Sequence, residues 1–154
     1  MQRKKRGLGL FILLIIIGIG ATAGYFYVHQ STEDIAKEAV DTFYAYEQDG
    51  KFSDSWAMFH PQMKEKFAKV SYLQDRPRVL LNDFGVDTFT YGLGEAEKVE
   101  DWSMEEGTDP IGVVYKVVVT QTFRGKYGNL NIEQDVYTTM VDGEWTILWD
   151  YGGR

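Results

Sequence analysis

Acid–base chemistry near neutral pH most often recruits a histidine, and this chain has two, His29 and His60. His29 borders a long apolar run, which leaves His60, set between Phe59 and Pro61, as the candidate acid or base. A histidine at such a helix junction ordinarily bonds nearby backbone, so a structural role is expected for it. The stretch 101–109, DWSMEEGTD, gathers the clustered oxygens that a hard cation needs. It departs from a calcium loop, because Glu106 stands where the sharp turn requires glycine and Gly112 where a bidentate glutamate belongs. No metal or other cofactor is expected. Glycine-rich phosphate loops, GxSxG and HExxH are absent from the sequence, and no enzyme activity is expected.

The elements that must position these residues follow from periodicity. A helix starts at Ser31 or Thr32, carries Ala36, Ala39, Val40 and Phe43 on one stripe, and stops at Asp49-Gly50. Short helices are expected from Ser53 to Phe59 and from Pro61, and a third, capped by Ser71, is kinked or divided by Pro77. Strands follow at 86–91, 95–102, 112–123, 130–141 and 144–150, the last two joined by the hairpin signal Asp142-Gly143. That turn sets Met140 opposite Trp145, Thr138 opposite Ile147 and Val136 opposite Trp149, while a 124–129 loop sets Val117 opposite Val136. One face then collects Val113, Tyr115, Val117, Val119, Phe123, Leu130, Ile132, Val136, Met140, Trp145, Ile147 and Trp149, and helices should pack on it.

Two residues on that apolar face are out of character, Gln121 and Gln134. They either rim a pocket, for which Gln121, Gln134, Tyr115 and His60 are the candidates, or satisfy each other. The opposite face carries an unexpected apolar cluster of Val114, Val118, Tyr137 and Leu148. That cluster is either an interaction surface or is covered by another part of the chain, such as the acidic loop after Trp102. If it is a surface, Tyr137→Asp leaves the domain folded.

The run from Leu8 to Val28 holds 21 residues without a charge. As a helix it would reach roughly 31 Å, a bilayer's hydrocarbon thickness. Arg3, Lys4, Lys5 and Arg6 precede it, which predicts a cytoplasmic tail at 1–7, a transmembrane helix at 8–28 and an extracytoplasmic domain at 29–154, in the cell membrane as a single-pass protein. A cleaved signal peptide ending at Ala21-Thr22-Ala23 is the rival reading. Beyond the run, 12 basic residues against 23 acidic ones give −11, which repels nucleic acid. With no cysteine, neither a disulfide nor a lipid-modified cysteine is available.

Helices followed by an antiparallel sheet that ends in a W-x-I hairpin resemble the nuclear transport factor 2-like superfamily, over about Thr32 to Tyr151. More narrowly, DGEWTILWD at 142–150 and YEQDGKFSDSWAMFHP at 46–61 resemble the N-terminal domain of MecA-type penicillin-binding proteins. The span-plus-domain layout is also similar to a bitopic assembly component of type IV secretion systems. The resemblance implies an α+β fold, a cone-like domain of three or four helices packed on a curved antiparallel sheet. It implies a non-catalytic, membrane-anchored domain that binds an envelope protein or its own kind, with a small-ligand binder or cone-cavity enzyme as the alternative.

Overall fold

The computed structural model describes residues 15–16, 31–79 and 85–152. The chain divides into two units, Met1–Thr32 and Glu33–Arg154, and the architecture that follows is that of the second.

Helix α1 (Thr32–Gln48) opens with Glu33 and Asp34 at the positive end of its dipole. It buries Ala36, Ala39, Val40, Phe43, Tyr44 and Glu47, residues three and four apart on one stripe. Its end is a Schellman turn. Gly50 takes φ 72°, its N–H donates to Glu47 O at 3.2 Å, and Lys51 N–H donates to Tyr46 O at 2.8 Å. Helix α2 (Phe52–Ala57) buries Phe52 and Ser55. Helix α3 (Pro61–Lys66) starts on a proline, whose missing N–H costs nothing at that position. Helix α4 (Lys69–Pro77) begins two residues before the expected Ser71 cap, and Pro77 falls at its end instead of dividing it.

Four strands follow, β1 (Thr90–Trp102), β2 (Ile111–Gly125), β3 (Gly128–Val141) and β4 (Glu144–Trp149), antiparallel and in the order β1-β2-β3-β4. The expected pairings Met140–Trp145, Thr138–Ile147, Val136–Trp149 and Val117–Val136 are those observed. Of the first early strand expected, 86–91, only Thr90 and Tyr91 are strand; they open β1, which runs on through the second, 95–102, past a bulge between Leu93 and Ala96. Arg124 and Asn129, expected in a loop, pair with each other and shorten it to Lys126-Tyr127. The core lies between helices and sheet, where Phe43 packs at 5.5 Å from Phe59 and 6.0 Å from Trp149. Each such buried ring contributes about 1.5–3 kcal/mol.

Three expectations are corrected here. First, among the described residues the sheet is open, four-stranded and not strongly curled, so the cone of the nuclear transport factor 2-like fold is replaced by a small α+β domain of four helices and an open antiparallel meander. Each strand pairs with its sequence neighbours alone, so β1 and β4 never meet.

Second, no helix among the described residues is long and apolar enough to cross a membrane. The expected span, Leu8 to Val28, lies outside the described residues apart from Ile15 and Ile16. The single-pass localisation, the membrane partnership and the envelope-assembly function built on that span therefore have no support in the structure.

Third, both faces of the sheet are covered at its centre. Val114 and Leu148 are fully buried, Tyr137 is 6% exposed and Val118 is half-buried. The cover includes the end of β1: Trp102, its last residue, stacks on Tyr137 at 4.2 Å. In the acidic loop that follows, Met104 is buried and its carbonyl accepts from Tyr151 N–H at 2.7 Å. Conversely Val113, Leu130 and Met140, expected in the core, are exposed. The 15 residues of β2 reach roughly 50 Å, against about 26 Å for the 17 of α1, so the strand ends outrun the helical layer.

Candidate functional site

The domain's most deeply buried charge is Glu47, on the core-facing stripe of α1 and fully inaccessible to solvent. A carboxylate is tolerated there because donors from two other helices surround it. Ser55 Oγ of α2 and Tyr72 OH of α4 donate to Oε1 at 2.5 and 2.6 Å, and Arg76 Nε of α4 donates to Oε2 at 2.6 Å. Tyr72 and Arg76 stand four apart on α4 and so reach the same carboxylate. Burial, then the Glu47 charge, pushes the Tyr72 phenol well above the ordinary tyrosine range and keeps it a donor. Burial alone would lower Arg76, but Glu47 outweighs it and the guanidinium stays charged.

The outer side of Arg76 meets the sheet. Its guanidinium lies 4.7 Å from the Trp149 ring, a cation–π contact at the end of β4, and Nη2 is buried with no hydrogen-bond partner among the described residues. Beside this pair opens a cavity of about 330 Å³. Its walls are the aromatic rings of Phe67, Tyr72, Trp149 and Tyr151, with Ser71 and Asp75 along α4, Val79 just past its end and Gln134 reaching in from β3. Tyr44, behind Gln134, donates to its Oε1 at 3.4 Å. Burial pushes the Tyr151 phenol up to about 12, and Lys66 sits 4.2 Å over its ring. A second depression, about 400 Å³, is lined by the 85–90 segment with Thr122 and Arg124 and has no buried ion pair beside it.

The sequence candidates separate. Gln134 lines the cavity, while Gln121 is buried on β2 with its Nε2 unpartnered among the described residues, so the two do not satisfy each other. Tyr115 packs against Trp145 at 5.7 Å, away from the cavity lining. His60 caps α3, its Nδ1 accepting from Gln62 N–H at 3.2 Å and its own N–H donating to Ile147 O at 3.0 Å. Burial, then the nearby Lys64, lowers its pKa, which suits a neutral ring acting as acceptor. The outer-face cluster of Val114, Val118, Tyr137 and Leu148 has no part in the cavity.

Glu47, Tyr72 and Arg76 escaped sequence reasoning. One signal was available: the stripe Ala36, Val40, Phe43 runs on at the same spacing to Glu47, an ionisable residue on an apolar face. Among the described residues no group of histidines and carboxylates is placed to hold a metal. No family model and no curated protein matches the chain, so the resemblances to nuclear transport factor 2-like proteins and to MecA-type domains have no support there and carry no residue role.

Proposed function

We propose that this domain binds a small ligand in the cavity between α4 and the sheet. The observation that carries the reading is an aromatic-walled space of about 330 Å³ directly beside the buried Glu47–Arg76 ion pair. That volume lies within the range of small-molecule sites, and such sites combine apolar walls with a few fixed polar groups. Here Arg76 is held by Glu47 on one side and Trp149 on the other, and Gln134 is one of the few polar groups on a mainly apolar sheet face. Binding without catalysis is the activity favoured, since Glu47 already accepts three hydrogen bonds and is closed to solvent, which leaves it unsuited to act as a base.

The test is a titration of the full chain with small aromatics, namely benzamide, phenol and indole, followed by tryptophan fluorescence and by thermal melts. A bound ring stabilises the fold by mass action, so at least one is expected to raise the melting temperature of the wild type. Ser71→Trp, at an exposed position of α4 on the cavity wall, is expected to abolish that rise. No response to any of the three, or an equal response in Ser71→Trp, would overturn the reading.

A further inference from the structure

We propose that the ligand is uncharged, a planar aromatic ring carrying a carboxamide-type group. This rests on the ligand-binding reading above and adds its chemistry. Among the described residues each charge around the cavity has its counter-ion: Arg76 with Glu47 at 2.6 Å, Lys66 with Glu105 at 2.6 Å, and Asp75 with Arg78 at 3.7 Å. The site is therefore electrically balanced despite lying in a chain of formal net charge −7. An incoming anion meets a carboxylate behind each cation and must give up its own hydration. An incoming cation fares no better. Two of the aromatic faces that would attract it are already covered by resident cations, Trp149 by Arg76 at 4.7 Å and Tyr151 by Lys66 at 4.2 Å. A neutral ring loses little hydration and gains the remaining surfaces of Phe67 and Tyr72.

The polar wall supplies the rest of the specificity. The Gln134 side chain is itself a carboxamide, with a carbonyl acceptor and an NH₂ donor, and it shares the cavity lining with Ser71, whose hydroxyl is both donor and acceptor. Another carboxamide matches both groups, whereas a carboxylate offers no donor and an ammonium no acceptor.

Three rings of nearly one size separate the cases: benzamide, benzoate and benzylammonium, titrated calorimetrically into the full chain near pH 7. Benzamide is expected to bind about tenfold or more tighter than either charged ring. A charged ring that binds as tightly as benzamide would overturn the proposal while leaving the cavity reading intact. Silence from all three, together with phenol and indole, would remove both. A variant then probes the charge balance. Glu105→Gln breaks a half-exposed ion pair, leaves the buried network alone and uncovers Lys66. It is expected to strengthen benzoate binding about threefold or more and to leave benzamide unchanged; an unaltered benzoate affinity would overturn the charge argument.

Discussion

Glu47 is where one atom group decides the most. Removing its side chain strands Arg76 in the interior, so Glu47→Ala is expected to cost about 3–5 kcal/mol in urea unfolding. Tyr72→Phe deletes one hydrogen bond to a charged acceptor and is expected to cost about 1.5–3 kcal/mol. The double change Glu47→Leu with Arg76→Met leaves no orphan charge and should cost less than Glu47→Ala alone. If the double variant is the less stable, the pair contributes net attraction and the ordering is reversed. His60 tests the same chemistry through pH. Its folded pKa lies below the unfolded value, so the unfolded chain binds the extra proton and stability falls as pH drops below about 6.5. Asn caps as well as His without titrating, so His60→Asn is expected to flatten the decline in melting temperature between pH 7 and pH 5; an unchanged slope assigns it to other groups.

Elements show how far a sequence carries and where it stops. The β3–β4 hairpin was legible because Asp142 and Gly143, at φ 53° and 85°, are the residue types that a two-residue turn of positive φ demands. Strand register followed from that turn and from alternation. Alternation, however, says which residues share a face and not what covers the face. Tyr137 sits where the register put it, opposite Lys116 and Leu148, yet it is core because Trp102 stacks on it. Tyr137→Asp, harmless on a free surface, is now expected to destabilise the domain by 3 kcal/mol or more, about the cost of losing a core aromatic. A melting temperature within a few degrees of the wild type would mean that Trp102, at the end of β1, lifts off that face. The site was legible in part. Gln134 stood out as a polar residue in an apolar register, but Glu47 and Arg76, 29 residues apart on different helices, share no local pattern that would pair them.

At the scale of the whole sheet, an open meander must manage two edges. On the β4 side the chain closes the edge itself: Phe59 bridges Ile147 in parallel, with Ile147 N–H donating to Met58 O at 2.8 Å and the Ile147 carbonyl accepting from the backbone N–H of His60 at 3.0 Å. The β1 side has no such cover over its 13 residues among the described part of the chain. What it has is charge. Glu95, Glu97, Lys98, Glu100 and Asp101 stand exposed along the strand, and the bulge between Leu93 and Ala96 breaks its line. A second β1 laid alongside would bring acidic residues together and leave its own ladder interrupted, which is how exposed edges are kept from pairing. Charge on β1 is thus expected to hold copies apart rather than to stabilise the fold. Glu97→Val with Glu100→Val should leave the unfolding free energy within about 1 kcal/mol of the wild type, since both residues are exposed. The same variant should show concentration-dependent association in sedimentation velocity. A variant that sediments like the wild type at every concentration would show that the bulge alone blocks the edge, and that the acidic residues on β1 serve another purpose.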